Sequence, residues 1–162
     1  MLELKRLLSG ETERIPFGAA LDMSGIAPDI LEGECKVCGE CFGTPDHITL
    51  KARLDCSFTA VCARCCRQFK SAFRHEFEYP VAEKLVSDED EDRFLLMEDH
   101  ALDIEEICGD ELILNLPLRF LCREDCKGLC PVCGADLNAG VCSCGGKKVD
   151  PRLEKLKEYF KK

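Results

Sequence analysis

The sequence has no apolar run long enough to cross a bilayer, and residues 1–18 contain neither an apolar stretch of signal-peptide length nor a small-residue cleavage site. We therefore expect a cytoplasmic protein without a membrane segment. Thiols stay reduced in that compartment, so the 14 cysteines of this 162-residue chain predict metal binding or redox chemistry before they predict a disulfide scaffold.

The sequence also lacks the glycine-rich loops that bind nucleotides, since neither GxxxxGK[ST] nor GxGxxG occurs. It contains no recognisable Ser/His/Asp or paired-carboxylate arrangement, and His47 and His100 stand alone among turn and acidic residues. These absences predict a protein that is not an enzyme and that uses no nucleotide cofactor.

An overall positive charge is missing as well. The formal net charge is −9, which argues against a nucleic-acid-binding surface over the whole protein. The acidity is concentrated in residues 88–111, which we expect to begin as a solvated loop and to pass into a short strand at residues 94–97. The rest of the chain is slightly basic, and residues 147–162 hold seven bases against three acids. Contact with RNA therefore stays open.

Two segments alternate apolar and polar residues in the manner of half-buried strands: residues 48–60 and residues 67–79. The first segment places Cys56 on its apolar face. The second places His75 on its aromatic face. We interpret both side chains as packed residues and not as metal ligands.

The stretch ECKVCGECFG, residues 34–43, carries a CxxCxxC spacing that can begin an iron–sulfur or zinc site. Its period of two, however, points Cys38 away from the other two sulfurs, so a regular strand cannot direct all three at one ion. We interpret the stretch as a packed strand joined by a turn to the strand that follows. The alternative is a β-bulge at Gly39 that re-aims Cys38. The apolar side of this strand is predicted to hold Leu31, Cys35, Val37 and Cys41.

Two helices are predicted in the second half of the chain. Asp103 can cap the first helix, with Glu106 three residues later, and Pro117 stops its extension. Cys108 belongs to the apolar stripe of this helix, which favours packing over ligation. A last helix, basic on its polar side, is predicted over residues 150–160.

Six cysteines from residue 122 to residue 144 lie among turn residues, without a helix or strand period that would give them a packing role. The motif CPVCG followed by CSC predicts a Cys₄ zinc site, because CxxC followed by glycine lets the backbone wrap under a tetrahedral ion. The predicted ligands of this site are Cys130, Cys133, Cys142 and Cys144.

The motif CARC, which interrupts the two alternating strands, has the same knuckle spacing. The simplest hypothesis is a second closed zinc site, which joins this knuckle to the chain after the predicted helix, ~60 residues away. Two alternatives stay open: Cys66 can replace Cys65, or Cys122 and Cys126 can combine with the CSC cysteines. The bases beside the motifs either offset thiolate charge or contact RNA, with equal weight. The ligands of the second site under the main hypothesis are Cys62, Cys65, Cys122 and Cys126.

These motifs together resemble one known family. CARC with an aromatic strand, an acidic stretch, DIEEICGDELILNLPLRFLC, CREDCKGLCPVCGADLNAGVCSC and the terminal DPRLEKLKEYF are similar to the YceD family, the large ribosomal RNA subunit accumulation proteins. The resemblance covers residues 31–160. It implies support of large-subunit ribosomal RNA synthesis, processing or assembly. Some members lack the CPVCG and CSC cysteines but keep CARC, which implies that the Cys62 and Cys65 site is the older element.

We therefore expect an α+β fold: a twisted antiparallel sheet with one or two packing helices and a small C-terminal cysteine-rich zinc module. The expected organisation is a sheet domain over residues 1–120 that includes the CARC knuckle, a zinc module over residues 121–146 and a basic helix over residues 147–162.

The expected function is that of a non-enzymatic factor with two structural Zn²⁺ sites, whose partner is ribosomal RNA or a large-subunit ribosomal protein. One alternative is a zinc-stabilised protein-interaction module without direct RNA contact. A weaker alternative is a thiol redox protein that uses Cys62 and Cys65. CARC lies between strands and not at a helix N-terminus, where the dipole would lower a thiol pKa.

Overall fold

The computed structural model describes residues 1–43, 47–83 and 94–144. A twisted five-stranded mixed sheet dominates this part of the chain, and its strands lie side by side in chain order. The first four strands are antiparallel, and the last adds a short parallel pairing. The strands are β2 (Arg14–Asp22), β3 (Ile30–Gly43), β4 (Ile48–Val61), β5 (Gln68–Ala82) and β6 (Leu95–Leu96).

Two short strands and two helices complete the described fold. A second, two-stranded sheet joins the N-terminus to the segment before the long helix. These elements cover the inner face of the large sheet, where Leu4, Leu102 and Leu112 are almost fully buried. Their bounds are β1 (Leu2–Glu3), α1 (Lys5–Leu8), β7 (Ala101–Leu102) and α2 (Ile104–Asn115).

The mostly-sheet α+β architecture expected from the alternating segments is confirmed. Along β4 every second side chain is buried, from Leu50 through Leu54 to Ala60. The intervening residues face the opposite side of the sheet, because successive strand side chains point to opposite faces. β4 is the central strand and carries the middle of the core.

The alternation predicted for residues 34–43 is also confirmed. Cys35 and Cys41 are fully buried and Cys38 is exposed. The pairing of β3 with both neighbours runs without interruption through Gly39, so the bulge considered there does not occur. The Cys35 and Cys41 sulfurs belong to the core, and none of the three belongs to a group of thiols that could hold a metal ion.

Leu31 was predicted on the same buried side, and that prediction is wrong. The register of β3 against β4 shifts between Ile30 and Glu32, so Leu31 is the extra residue of a β-bulge. One inserted residue reverses the alternation before it. Ile30 is consequently buried, whereas Leu31 is 44% exposed.

The sheet contains an edge strand that the sequence analysis did not predict. In β2 the partly buried positions are Ile15, Phe17, Ala19 and Leu21, at a spacing of two. Pro16 and Gly18 lie between them, and these residue types weaken a strand assignment by propensity. An edge strand tolerates proline because one side of its backbone has no partner strand.

α2 begins where predicted. The Asp103 carboxylate accepts hydrogen bonds from the backbone N–H groups of Glu105 and Glu106, at 3.1 and 3.2 Å. Ile104, Cys108 and Leu112 form the buried stripe. The strand expected at residues 94–97 is present as β6.

The helix expected at residues 150–160 lies outside the described residues. Residues 88–93 of the acidic run also lie outside them. Among the residues that are described, no helix has the length and apolar character needed to span a membrane.

Candidate metal centre

The first cysteine group forms at the turn between β4 and β5. Cys62 begins the turn, and the backbone N–H of Cys66 donates to its carbonyl at 2.9 Å. The N–H of Ala63 donates to the carbonyl of Phe120, also at 2.9 Å, which brings the segment after α2 beside the turn. Phe120 is buried edge-on against Phe58, with ring centroids 5.2 Å apart. The core therefore positions residues 120–126 over the knuckle.

Four thiols converge at this point: Cys62, Cys65, Cys122 and Cys126. Their sulfur atoms all lie within 4.8 Å of one another. The Cys62 and Cys126 sulfurs are 3.8 Å apart, and the Cys65 and Cys122 sulfurs are 3.7 Å apart. Four sulfurs at 2.3 Å from a tetrahedral Zn²⁺ would be separated by about 3.8 Å. The spacing of the group fits such an ion.

A second group combines Cys130, Cys133, Cys142 and Cys144, again with all four sulfurs within 4.8 Å. Its knuckle repeats the first: the N–H of Gly134 donates to the carbonyl of Cys130 at 2.9 Å. The N–H of Val132 points at the Cys130 sulfur at 3.5 Å. Backbone N–H donors near a sulfur atom favour its ionised form, which is the form that binds metal ions.

One thiol in each group has a lowered pKa. Burial opposes ionisation of Cys62, but hydrogen bonds from the backbone N–H groups of Cys122, Arg64 and Cys65 outweigh it and lower its pKa to about 6. The backbone N–H groups beside Cys130 lower the pKa of that thiol to about 6 as well. Metal ions bind thiolates, so both groups offer a ligand that is ionised at neutral pH.

Other thiols resist ionisation because they are crowded together. Burial and hydrogen bonding with Cys65 and Cys126 raise the pKa of Cys122 to about 12. Hydrogen bonding with Cys133, followed by burial, raises the pKa of Cys144 to about 12. A divalent cation at the centre of each group would remove this conflict by favouring the ionised form of every sulfur. Two four-sulfur groups therefore can hold metal ions.

Two of the arginines beside the motifs have structural partners. The Arg64 guanidinium donates to the carbonyls of Glu124 and Cys126, at 3.1 and 2.9 Å. It thereby holds the backbone of the first group's second half. Arg67 pairs with Asp136 at 3.1 Å, which ties the β4–β5 turn to the second group's loop.

The geometry shows which of the thiols in the open assignments lie together. Cys66 is exposed and belongs to neither group. Cys122 and Cys126 meet the β4–β5 turn, whereas the CSC cysteines meet CPVCG. The eight thiols named from the sequence are those that the structure brings together in two groups of four.

The other buried thiols lie in the sheet core. The Cys56 sulfur is 2.8 Å from that of Cys35, its cross-strand neighbour. Burial raises the pKa of Cys41 and of Cys108 to about 12. Buried thiols of this kind pack as small apolar side chains.

Asn138 is a site residue that the sequence analysis missed. Its backbone N–H donates to the Asp136 carboxylate at 2.9 Å, which forms a turn closed by the aspartate side chain. The Asp-x-Asn pattern is the only sequence signal of this turn. It gives no indication that the asparagine reaches the first cysteine group.

Comparisons with known proteins show which family the chain is similar to. The family model described as "Large ribosomal RNA subunit accumulation protein YceD" matches residues 50–159. An uncharacterized protein of Mycobacterium tuberculosis is 36% identical over 105 residues, which are 61% of this chain and 49% of the relative. The chain thus spans about half the length of that relative. No solved structure gives a significant match.

Plant relatives carry a functional name. A protein of Zea mays named "Large ribosomal RNA subunit accumulation protein YCED homolog 1, chloroplastic" is 39% identical over 64 residues, 39% of this chain and 22% of its own length. The Arabidopsis thaliana protein of the same name is 37% identical over 49 residues, 30% of this chain and 15% of its own length. Since the family match extends over more than half of the chain and includes both cysteine groups, the chain belongs to the YceD family of large ribosomal RNA subunit accumulation proteins.

Proposed function

We propose that this protein is a cytoplasmic, non-enzymatic factor that supports the accumulation, processing or assembly of large-subunit ribosomal RNA, and that two structural Zn²⁺ ions hold its cysteine-rich half together. The pair of four-thiol groups within a YceD-family chain carries the proposal. A Cys₄ site is coordinatively closed, so it leaves no position for a reacting water or substrate. Such ions stabilise a binding surface instead of catalysing a reaction.

The bases around the two groups support contact with an anionic partner. Among the described residues, Lys70, Arg119 and Lys127 are exposed and their side chains form no ion pair, in contrast to Arg67. Exposed cations without carboxylate partners are available to phosphate groups. We therefore assign these three side chains to the proposed RNA-binding surface.

Depletion of the protein, followed by gradient profiles of ribosomal subunits, tests the function directly. We expect fewer mature large subunits and an accumulation of unprocessed or degraded large-subunit RNA, with small subunits unchanged. Normal amounts of mature large subunits after depletion would contradict the proposal.

Direct RNA contact is tested by binding to large-subunit ribosomal RNA fragments at several salt concentrations. The double variant Arg119→Glu with Lys127→Glu is expected to bind more weakly and to show a shallower salt dependence, because each lost phosphate contact reduces the number of released counterions. Lys36→Glu is the control for a charge change far from the cysteine groups. Lys36 is exposed on β3 and lies opposite Asp55 of β4 in the strand register. Asp55 is roughly 20 Å along β4 from the cysteine turn. Affinity that does not respond to salt would exclude backbone contact.

A protein partner without RNA contact is the second candidate, and exposed apolar side chains favour it. Leu118 is 98% exposed, Val132 is 55% exposed and Val141 is fully exposed, all within or beside the cysteine-rich segment. Contiguous exposed apolar side chains mark protein interaction sites, and these three side chains share one segment of the chain. If Leu118→Asp abolishes recovery of a large-subunit ribosomal protein while RNA binding is absent, this second function replaces the first.

The zinc content tests the structural part of the proposal. We expect two Zn²⁺ per chain by elemental analysis and native mass spectrometry, one of which is lost in Cys62→Ala and the other in Cys133→Ala. Cys38→Ala, an exposed cysteine outside both groups, is expected to retain both ions. Loss of the same ion from the first two variants would overturn the two-site scheme.

A further inference from the structure

The side chain of Asn138 makes four hydrogen bonds that reach from the second cysteine group to the first. Its Oδ1 accepts from the guanidinium of Arg123 at 2.7 Å and from the backbone N–H of Lys127 at 2.8 Å. Its Nδ2 donates to the Asp136 carboxylate at 2.7 Å and to the sulfur of Cys126 at 3.5 Å. A side-chain amide has two donor hydrogens and two acceptor lone pairs, and here all four are used.

Only one orientation of this amide satisfies its surroundings. The two groups that face Oδ1 are donors, and the two that face Nδ2 are acceptors. A rotated amide would place two N–H groups against Arg123 and the Lys127 backbone, and an oxygen against the Cys126 sulfur. The site therefore selects an asparagine in a single conformation, which is typical of a residue that positions its neighbours.

The loop that carries Asn138 lies between the two halves of the second group and is docked on the first. The N–H of Leu129 donates to the carbonyl of Arg64 at 3.0 Å, and the N–H of Leu137 donates to the carbonyl of Gly128 at 2.9 Å. The Arg67 and Asp136 ion pair is a further link. Residues 128–144, which carry the second group and are here called the second module, thus contact both the β4–β5 turn and residues 123–127.

We propose that Asn138 couples the two groups, so that a metal ion in the Cys130 group slows the loss of the ion from the Cys62 group. The second ion holds the loop in which Asn138 lies. Asn138 then fixes residues 123–127 and donates an N–H···S hydrogen bond to Cys126, a ligand of the first ion. Hydrogen bonds to metal ligands orient the ligand and typically change metal affinity about 10- to 100-fold. This inference depends on the proposed metal binding.

Coupling of this kind is reciprocal at equilibrium. If the second ion raises the affinity of the first group for its ion, the first ion raises the affinity of the second group by the same factor. Emptying the Cys62 group is therefore expected to weaken binding in the Cys130 group by the same factor. A module that only adds stability to its own loop would show no such effect.

The test measures release of Zn²⁺ from the full chain to a chromogenic chelator. In Cys133→Ser only the first ion remains, and we expect it to leave about 10- to 100-fold faster than the slow ion of the wild type. Asn138→Ala is expected to bind two ions and to speed release of the slow ion by a similar factor. The double variant is expected to release it no faster than Cys133→Ser, because both changes break the same link.

Two further variants separate the donor groups of Asn138 from general stability. Asn138→Asp keeps acceptors for Arg123 and the Lys127 backbone but loses both donors, the one to Cys126 and the one to Asp136, so we expect faster release here too. Asn115→Ala is the matched control, since Asn115 bonds Glu111 on α2 and contacts neither group through its side chain. It is expected to leave release unchanged.

The outcomes distinguish this inference from the proposed function. If the wild type binds two ions and Cys133→Ser or Asn138→Ala releases the first ion at the wild-type rate, coupling is excluded and structural zinc stands. If the wild type binds no metal, the zinc part of the proposed function fails first and coupling with it. Equal acceleration by Asn115→Ala would also overturn the specific role of Asn138.

Discussion

Cys66 and Gly134 occupy the same place in two matching turns. Each follows the second cysteine of a CxxC motif, and each donates its backbone N–H to the carbonyl of the first cysteine at 2.9 Å. Both have a positive φ, +56° for Cys66 and +73° for Gly134. Glycine adopts this conformation freely, whereas an L-residue with a β-carbon is strained there. The two knuckles share one backbone geometry, and the first maintains it with an unfavourable residue.

Replacement of Cys66 by glycine is therefore expected to stabilise the metal-loaded protein. Relief of the left-handed strain is worth about 1–2 kcal/mol, and the added freedom of the unfolded chain offsets about 0.5–1 kcal/mol of it. We expect a net gain of roughly 0.5–1 kcal/mol in the free energy of unfolding, measured with denaturant. Cys66→Ala keeps the β-carbon and serves as the control, with no gain expected. Equal stability of the two variants would show that the backbone is unstrained.

Gly128 and Gly134 form a matched pair for the docking of the second module. Both have a positive φ, but a β-carbon at Gly128 would lie 2.8 Å from the carbonyl oxygen of Arg64, whereas one at Gly134 meets nothing within 4 Å. Gly134→Ala is expected to lose about 1 kcal/mol of stability through strain alone. Gly128→Ala is expected to lose about 2–4 kcal/mol, because strain and the clash add. Hydrogen exchange should show loosening of residues 127–138 only in Gly128→Ala.

The 14 cysteines are expected to react with iodoacetamide in three separate classes. In the metal-loaded protein only Cys38 and Cys66 should be alkylated, since both are exposed and lie outside the metal groups. A chelator should release the eight cysteines of the two groups for reaction. Four should react only after unfolding, because the core encloses them: Cys35, Cys41, Cys56 and Cys108.

Peptide mapping by mass spectrometry after each step checks this order. Alkylation of Cys41 before unfolding would contradict its burial. Alkylation of Cys133, Cys142 or Cys144 before metal removal would contradict their role as ligands, because burial does not protect these three thiols.

Glu111 is a buried acid whose loss should destabilise the packing of α2 on β5. It is 7% exposed and accepts hydrogen bonds from the Tyr79 hydroxyl at 2.7 Å and from Asn115 at 3.0 Å, with His75 at 3.1 Å. Glu111→Leu leaves these partners unsatisfied, which is expected to cost about 2–4 kcal/mol in the free energy of unfolding. Asp110→Ala, at the exposed neighbouring position, is the control and should change stability by less than about 0.5 kcal/mol.

The same cluster predicts a response to alkaline pH. The hydrogen bond to Glu111, followed by burial, raises the pKa of Tyr79 above its ordinary value of 10.0. The folded protein therefore holds this proton more tightly than the unfolded chain does. The resulting stability is fully present below pH 10 and is lost as the pH rises through the folded value.

Denaturant unfolding between about pH 9 and 12 measures this effect. The wild type is expected to lose stability more steeply than Glu111→Gln, in which the charge next to the tyrosine is gone. Parallel curves for the two proteins would contradict the assigned hydrogen bond.

Much of the sheet could be predicted because period-two alternation is a local property. The long alternation of β4 identified its buried face, and the same reasoning removed Cys35, Cys38 and Cys41 from the list of ligands. The bulge at Leu31 escaped this reasoning, because an inserted residue depends on how two strands pair and not on one strand's pattern.

Glu111 illustrates a second limit. An acid beside Asp110 suggests a solvated helix surface, yet its side chain is buried because three polar partners from β5 and α2 converge on it. Partners that lie more than 30 residues away in the chain leave no trace in the local pattern. Burial of a charged group is decided by such partners.

The sequence by itself determined the alternating strands, the start of α2 and the two CxxC knuckles, because each depends on residues only a few positions apart. Only the tertiary structure decided that the CARC knuckle meets Cys122 and Cys126, that Cys66 stays outside the group and that Asn138 links the two centres. Cysteine spacing defines which thiols can share an ion locally. Which distant segments come together depends on the core. There Phe120 packs on Phe58, and this contact places Cys122 and Cys126 beside the CARC turn.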